Sequence, residues 1–531
     1  MPPDYLLGID LGTTTCRAAL FDRHGRELAL AAVETPVRYP RPLWAEADPE
    51  AWWHSVVAVT RAALEHSGVH PSTIAGIGLS GLMHAPVLLD GDGRPVAPSM
   101  LWMDQRCAPQ CEAIRREAEA AGLRSPSLTS SVTGPKLRWL AEMQPKVLAR
   151  AVRLLLPKDY VRFRLTGTLG TDPADAGGTG LFDRQVGTWR WELVELCRVP
   201  RHLLPEVQPP DALAGRVTPE AAAATGLAPG TPVATGSSDT YCTRLGAGPL
   251  APGEACLYLG TAAWVAIAAA APADERRPAA GDSPLSAATA SSPPRAEALR
   301  SFGATSTTGA ALRWLRDLLV APEPAAASRD HTGGLRPRAP EVDGARRAYD
   351  ALTREAEAVP PGAEGLLFLP HLMGERGPLA DPLARGALVG LTLSHTRGHV
   401  VRAVIEGTAY HLRHLIETRS EGRWPVAGVA CGGAARSALW MQVLADVLAL
   451  PLRVPAVVET AALGAAVLGG AAAGIHTVEE AQQRMVHPGP RYAPDAGRVQ
   501  AYATLYRRYR RLDDLLAPWF RESIEPIEPV R

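Results

Sequence analysis

The sequence contains very little lysine, and it has no excess of charge of either sign. Only three of its 531 residues are lysine, so arginine carries nearly all of the positive charge. Lysine plus arginine and aspartate plus glutamate both number 55, which leaves a formal net charge of zero. Because binding to nucleic acid depends on a clustered positive excess, we expect no nucleic-acid partner.

Cysteine pairs and long apolar runs are also missing. The seven cysteines are scattered and include no Cys-x-x-Cys pair, which is typical of reduced thiols in a cytosolic protein. Residues 1–5 lack the basic and apolar regions of a signal peptide. The longest uncharged stretch, residues 257–273, is short and rich in small residues, so we expect no membrane span. These absences predict a cytoplasmic protein, and its length predicts several domains.

Strand and helix patterns alternate along the chain. Apolar runs at residues 6–11 and 16–21, with a third from Glu27 after an Asp-Arg-His-Gly turn, predict neighbouring strands. Residues 49–67 are predicted as a helix, and residues 74–79 and 87–89 as strands. Alternation of this kind predicts an α/β layer architecture.

The second half of the chain begins with a segment similar to one at the start of the first half. Residues 257–261 (Leu-Tyr-Leu-Gly-Thr) resemble residues 9–13 (Ile-Asp-Leu-Gly-Thr), which predicts two related halves. Helical spacing of apolar residues follows at residues 308–320 and again from Tyr502 to Leu512, where we expect core packing. Two segments rich in Ala, Pro and Ser are interpreted as surface excursions, residues 271–294 and, less strongly, residues 321–338.

Two common nucleotide-binding loops are excluded. The chain contains no Gly-Lys dipeptide, so it has no Walker A loop. A Gly-x-Gly-x-x-Gly pattern occurs at residues 76–81, but it leads into another strand and not into a helix. It therefore does not fit a dinucleotide-binding turn.

The turn at residues 10–14 (Asp-Leu-Gly-Thr-Thr) is a better candidate for a phosphate loop. Asp10 at a strand end would hold Mg²⁺ through water. Gly12 would let backbone N–H groups approach phosphate oxygens, with Thr13 and Thr14 as further donors. The matching Gly-Thr at residues 260–261 predicts a second loop, and two facing loops would clamp one nucleotide.

Three other segments present polar groups at the ends of predicted strands. Asp239 follows a small-residue turn and would accept a hydroxyl proton, although a helix N-cap is an alternative role. Met83 and His84 follow the strand at residues 74–79, where a structural role is the alternative. The Cys-Gly-Gly-Ala turn at residues 431–434 precedes a helix and would receive a phosphate or a flat ring, or cap the helix.

Longer motifs resemble one family over nearly the whole chain. Residues 133–140 (Thr-Gly-Pro-Lys-Leu-Arg-Trp-Leu) are similar to its first signature. Residues 386–391 and 399–406 are similar to the second signature, and residues 368–376 resemble its Pro-x-x-x-Gly-Glu-Arg segment. On these motifs the chain resembles the FGGY carbohydrate kinases, a branch of the actin-like ATPase fold.

The resemblance implies an α/β fold of two actin-like (ribonuclease H-like) ATPase domains with a nucleotide and sugar cleft between them. It places an N-terminal domain at residues 1–246, a nucleotide-binding domain at residues 247–490 and a C-terminal helix and tail at residues 491–531. ATP and Mg²⁺ are the expected cofactors, and a small sugar is the expected partner. Family members are often dimers, so a homodimer is expected by analogy alone.

The resemblance also assigns roles to single residues. Asp239 would be the general base, Asp10 would hold the metal, and Met83, His84 and Thr240 would contact the sugar together with Asp239. The residues expected to bind the nucleotide are Thr13, Thr14, Gly260, Thr261, Gly309, Gly432, Gly433 and Ser437.

Within the family, residues 83–84, 101–106 and 156–167 look most like xylulokinases, so phosphorylation of D-xylulose to D-xylulose 5-phosphate is the expected reaction. Leu82, Thr240 and Cys431 depart from that pattern, and residues 179–183 and 236–239 look more like gluconokinases. A gluconokinase or another ketose or polyol kinase is therefore an alternative. An actin-like ATPase that binds proteins is the alternative from another class.

Overall fold

The computed structural model describes residues 4–123, 128–269, 299–319, 339–375, 381, 383–420 and 422–522. These residues form two compact units. The first contains the described residues up to Gly248 together with Thr460–Val486, and the second contains those from Pro249 to Glu459 and from His487 onward. The surface excursions predicted at residues 271–294 and 321–338 lie outside the described residues.

Strands are distributed over both units. In chain order they are β1 (Tyr5–Leu11), β2 (Thr15–Asp22), β3 (Glu27–Glu34), β4 (Glu46–Ala47), β5 (Ile74–Gly81), β6 (Val87–Leu89), β7 (Ser99–Met100), β8 (Arg153–Leu155), β9 (Phe182–Asp183), β10 (Thr188–Trp189), β11 (Leu213–Arg216), β12 (Pro232–Ala234), β13 (Ser237–Ser238), β14 (Ala255–Leu259), β15 (Ala263–Ala268), β16 (Leu299–Ala304), β17 (Leu367–Leu369), β18 (Ala387–Val389), β19 (Gly428–Cys431), β20 (Leu452–Pro455) and β21 (Pro488–Tyr492).

Helices cover the sheets. They are α1 (Pro49–Ser67), α2 (Ala108–Ala120), α3 (Thr133–Met143), α4 (Pro145–Arg150), α5 (Pro157–Thr166), α6 (Pro173–Gly178), α7 (Trp191–Leu196), α8 (Pro219–Thr225), α9 (Asp239–Ala247), α10 (Gly309–Leu319), α11 (Ala339–Glu357), α12 (Arg397–Arg419), α13 (Ala438–Leu448), α14 (Thr460–Ala472), α15 (Val478–Met485) and α16 (Ala496–Glu522). Short 3₁₀ turns occur at Pro71–Thr73, Arg201–Leu203, Ala363–Gly365 and Gly433–Arg436.

The main sheets of the two units have the same topology. The first has the strand order β3-β2-β1-β5-β12-β11, and the second has the order β16-β15-β14-β19-β20-β21. In each sheet the three central strands are parallel, and the outer strands pair antiparallel. The repeated Leu-Gly-Thr turn therefore ends corresponding strands, β1 and β14, and the prediction of two related halves is confirmed.

Helix α1 shows how the sequence specifies a covering element. Asp48 caps its start by accepting a hydrogen bond from the backbone N–H of Glu50, and Pro49 occupies the first turn. Gly68 ends it in the left-handed conformation, with φ of 63°. The face with Trp52 and Val56 is buried, and the helix spans the residues predicted from the periodicity.

Helix α14 lies far along the chain but packs against β1, β5 and α9 of the first unit. Glycines allow this close packing, because a Cβ at Gly8 would overlap the carbonyl oxygen of Ala462, and one at Gly78 would overlap that of Ala465. The expected domain division at residue 246 places this helix in the second half of the chain. In the structure it completes the core of the first unit.

In the second unit, α12 and α16 form much of the core. The stripe predicted near the C-terminus is buried as expected, with Tyr502, Tyr506 and Tyr509 facing the interior. The predicted helix at residues 308–320 is also present, as α10. Helix α12 packs against β16 and β17, and α16 also packs against β17.

Candidate active site

Three neighbouring strands of the first unit bring polar side chains to one edge of its sheet. In the parallel pairing of β1 with β5, Asp10 lies opposite Ser80, and in the pairing of β13 with β5, Ser237 also lies opposite Ser80. Ser80 donates a hydrogen bond from Oγ to Oδ1 of Asp10 at 2.7 Å. The strand register thus places Asp10 and the start of α9 at the same edge of the sheet.

Asp10 has the properties expected of a magnesium ligand. Asp10 is only 6 % exposed, and Nη1 of Arg17 lies 3.9 Å from its Oδ2. A single carboxylate with hydroxyl neighbours provides hard oxygen donors, and Mg²⁺ usually keeps several waters when bound in this way. The residues present therefore fit the expected ion.

The turn between β1 and β2 is held by side chains from distant segments. The indole N–H of Trp102 donates to Oγ1 of Thr13 at 2.9 Å. Thr35 donates from Oγ1 to the carbonyl oxygen of Thr13, and from its N–H to that of Thr14. The sequence analysis did not assign this role to Trp102, although residues 101–106 belong to a segment that carries the family resemblance.

Asp239 is the first residue of α9, and the preceding Ser238 caps the helix by accepting a hydrogen bond from the N–H of Tyr241. The alternative of an N-cap role for Asp239 is therefore wrong. Asp239 is partly buried, and its Oδ1 accepts hydrogen bonds from the N–H of Thr240 at 2.7 Å and from its Oγ1 at 3.3 Å. Gly236 makes the turn, with φ of 75°.

Met83 and His84 pack on the end of α6. Nδ1 of His84 lies 2.7 Å from the carbonyl oxygen of Gly178, and a Cβ on Gly178 would come within 2.6 Å of Cε of Met83. His84 itself has a φ of 74°, which is uncommon for a residue other than glycine. The carbonyl of His84 accepts a hydrogen bond from the buried ammonium of Lys136, which also donates to the carbonyl of Ser131. Burial lowers the pKa of Lys136 to about 7.

A fully buried ion cluster lies behind these residues. Nζ of Lys158 is 2.5 Å from Asp159 and 3.0 Å from both Asp172 and Asp175, and Arg162 is 3.4 Å from Asp159. Burial by itself lowers the pKa of Lys158, but the three carboxylates outweigh it and raise that pKa. Burial raises the pKa of Asp175 well above its usual range, and a proton there would leave two cations facing two carboxylates.

The ion cluster connects the two segments of the site. Asp172 caps α6 by accepting from the N–H of Ala174, and the same oxygen accepts a hydrogen bond from Oγ of Ser237 at 2.6 Å. Helix α6 supports His84, and Ser237 lies two residues before Asp239. Sequence reasoning missed this connection, because single aspartates in a polar segment carry no signal of burial.

In the second unit, the turn after β14 is bound to the start of α10. The N–H groups of Thr308 and Ala310 donate to the carbonyl of Thr261, and the N–H of Gly309 donates to that of Gly260 at 2.8 Å. A Cβ on Gly309 would overlap this carbonyl oxygen of Gly260, so the close approach requires glycine. The structure therefore brings Gly260, Thr261 and Gly309 together.

The turn after β19 lies close to the end of β14. Gly432 has a φ of 89°, and a Cβ there would lie 2.8 Å from the carbonyl oxygen of Leu259. Nothing lies within 4 Å of the position of a Cβ on Gly433. Ser437 caps α13 by accepting a hydrogen bond from the N–H of Trp440 at 3.2 Å. The predicted nucleotide residues of this half are thus clustered at the ends of β14 and β19.

The fold and these paired glycine-rich turns define an actin-like enzyme that transfers phosphoryl groups. Models of the FGGY family of carbohydrate kinases match the chain, the N-terminal domain over residues 5–246 and the C-terminal domain over residues 258–473. The chain belongs to this family. In the part of the chain that the structure describes, no helix combines the length and hydropathy that crossing a bilayer requires.

Known relatives cover almost the entire chain. It is 30 % identical over 515 residues to the xylulose kinase of Bacillus subtilis, with 96 % of each chain covered. It is 29 % identical over 520 residues to the gluconokinase of the same organism, again with 96 % of each covered. The crystal structure of xylulose kinase from Rhodospirillum rubrum is 31 % identical and superimposes with a TM-score of 0.71, covering 97 % of this chain and 100 % of that one. The chain is therefore an ATP-dependent sugar kinase, and the alternative of a protein-binding ATPase is set aside.

Proposed function

We propose that this kinase transfers the γ-phosphoryl group of ATP to D-xylulose and forms D-xylulose 5-phosphate. The observation that carries the proposal is the position of Asp239. It starts α9 at the sheet edge shared with Asp10, and Asp172 links the preceding Ser237 to the helix that supports His84. The position of this carboxylate supports a role in accepting a proton from a sugar hydroxyl.

Each residue then has a defined task in the reaction. Asp239 accepts the proton of the primary hydroxyl as its oxygen attacks the γ-phosphorus, and Met83 and His84 contact the sugar. In the family as a whole, catalysis of this kind depends on positioning and on neutralising charge. Asp10 would hold Mg²⁺ through water, and the ion would supply positive charge that offsets the charge of the phosphates.

The nucleotide is assigned to the glycine turns. In this proposal Thr13 and Thr14 meet phosphate oxygens, and so do Gly260 and Thr261. The adenosine is assigned to contacts with Gly432, Gly433 and Ser437. Gly309 serves by holding the turn at residues 260–261, through the hydrogen bond that its N–H donates to the carbonyl of Gly260.

The surroundings of Arg106 favour a neutral sugar over gluconate. A sugar carboxylate would need a cationic side chain, and the family segment at residues 101–106 ends in Arg106. Its guanidinium instead makes a bidentate contact with Asp104, a second ion pair of 2.7 Å with Glu46, and stacks on Trp44 at 3.6 Å. With only 3 % of its side chain exposed, Arg106 is already fully engaged.

The proposal is tested by measuring ADP release with Mg-ATP across D-xylulose, D-ribulose, L-ribulose, D-gluconate, glycerol and erythritol. We expect strong stimulation by D-xylulose, whereas stimulation by gluconate or a polyol alone would move the substrate and retain the kinase chemistry. Asp239→Asn should lower kcat by about 10²–10⁴-fold with ATP binding intact. Asp92→Asn, at an exposed turn of the same unit, is the matched control.

A further inference from the structure

The second unit contains a buried cluster of potential metal ligands that the kinase reaction does not use. His371 and Glu375 follow β17, and His411 lies on α12. All three side chains are at most 3 % exposed. One donor atom from each lies within 4.8 Å of the other two. Nε2 of His411 is 2.8 Å from Oε2 of Glu375, and Nδ1 of His371 is 3.7 Å from the same oxygen.

The surroundings of the two histidines resemble those of metal-bound imidazoles. Nε2 of His371 lies 3.0 Å from Oδ1 of Asp513 on α16, and a ligating histidine usually donates its other N–H to a carboxylate. This contact leaves Nδ1 of His371 pointing towards Glu375. That nitrogen is buried and has no hydrogen-bond partner. On the other ring, Nδ1 of His411 is 3.5 Å from the hydroxyl of Tyr509.

We propose that His371, Glu375 and His411 bind a divalent cation of the zinc type. Two imidazole nitrogens and one carboxylate suit zinc and its first-row neighbours, whereas Mg²⁺ and Ca²⁺ prefer oxygen ligands alone. Bonds of about 2.0–2.2 Å at tetrahedral angles separate ligand atoms by about 3.3–3.6 Å. The observed separations of 2.8 and 3.7 Å lie on either side of that range.

The charges of the cluster also favour a cation. Glu375 and Asp513 place two carboxylates in a buried space, and the charge of Arg510 reaches His414 next to the cluster. A metal ion bound here would replace a proton on these donors.

The bound ion would connect three separate elements of the second unit, which are the segment after β17, helix α12 and, through Asp513, helix α16. Because this role concerns the stability of the second unit, it does not depend on which sugar the enzyme phosphorylates.

The test uses the untagged full-length protein, with metal content measured by mass spectrometry after purification without chelators. We expect near-stoichiometric zinc. After chelation we expect a lower melting temperature, restored by added Zn²⁺, and titration with Co²⁺ should produce the intense visible absorption of a four-coordinate site. His411→Gln and Glu375→Gln should each lose the metal and the cobalt spectrum. His66→Gln, at the exposed last turn of α1, should retain both.

The wild-type measurements keep the proposal testable even if a variant fails to fold. Wild-type protein with no bound zinc, no cobalt absorption and no change in melting temperature on adding Zn²⁺ would overturn the proposal, and the three residues would then be a hydrogen-bonded network that shares a proton. Full metal retention by a folded His411→Gln variant would also overturn it.

Discussion

Lys158→Met is the substitution that tests most directly how the segments that carry His84 and Asp239 are held in place. Methionine retains most of the length of the lysine side chain, so it fills the same space and removes only the ammonium group. Lys158 has no exposed surface, and its ammonium contacts Asp159, Asp172 and Asp175 at 2.5 to 3.0 Å. After the substitution, Arg162 alone would face the buried carboxylates.

The expected loss of stability follows from that imbalance. Removing one partner of a buried ion pair costs about 3–5 kcal/mol, because the remaining charge stays buried without compensation. Since the folded-state pKa of Lys158 is raised, its stabilising contribution is complete below the ordinary lysine pKa and is lost only at higher pH. The full effect is therefore expected at neutral pH.

The other two lysines are natural controls. Lys136 is as deeply buried but donates only to the carbonyls of His84 and Ser131, so Lys136→Met should cost about 1–3 kcal/mol. Lys146 is exposed, and Lys146→Met should change the stability by about 0.5 kcal/mol or less. The predicted order of destabilisation is therefore Lys158 first, Lys136 second and Lys146 last.

Hydrogen exchange measured by mass spectrometry reports this order for the first unit alone. Amides of β5, in the middle of its sheet, should exchange about 10²- to 4 × 10³-fold faster in Lys158→Met than in the wild type. Exchange in Lys158→Met as slow as in Lys146→Met would show that the ion cluster does not stabilise this unit, and the reasoning would fail.

Three further predictions concern pH, packing and the metal ligand. Because burial lowers the folded-state pKa of Lys136 to about 7, the unfolded chain binds more protons than the folded protein between pH 7 and 10.5. The stability of the wild type against urea should therefore rise relative to that of Lys136→Met from pH 7 to 9, by at most about 1.4 kcal/mol per pH unit. An equal pH dependence of the two proteins would contradict this prediction. Gly78→Ala should lower the free energy of unfolding in urea by about 1–3 kcal/mol or more, because its Cβ would overlap a backbone carbonyl of α14. Gly91→Ala, with open space around it, should leave the stability unchanged. Equal effects of the two substitutions would refute the packing argument. Ser80→Ala removes a hydrogen bond of about 1.5–3 kcal/mol to the Asp10 carboxylate, so it should lower kcat/KM. Ser80→Thr keeps the hydroxyl and should retain more activity. An unchanged kcat/KM in Ser80→Ala would show that this hydrogen bond does not position Asp10.

Local signals in the sequence were sufficient to predict the elements and turns to which the chemistry is assigned. The cap at Asp48, the apolar face of α1 and the terminal Gly68 specify one helix within a short segment. The Gly-Thr turns at the ends of β1 and β14 were recognised because neighbouring residues alone determine a turn. Family motifs then assigned roles to residues such as Asp239, and these roles remain predictions.

The partners of these residues were decided only by tertiary structure. Asp10 meets Ser80 because β1 and β5 pair in parallel across a long connection, and Trp102 reaches Thr13 from another segment. Neither pairing leaves a periodic signal in the sequence. The aspartates around Lys158 looked like ordinary polar residues until folding buried them together.

Helix α14 illustrates the same division most clearly. Its residues from Thr460 to Gly470 are all buried, so its pattern has no polar face from which a partner could be inferred. Sequence order assigns it to the second half, yet it packs on the first sheet, where Gly8 and Gly78 leave room for its backbone. The sequence by itself determined where a helix and the glycine-rich turns would form. Only the packing of distant surfaces determined what that helix would cover, because shape complementarity arises after the elements have formed.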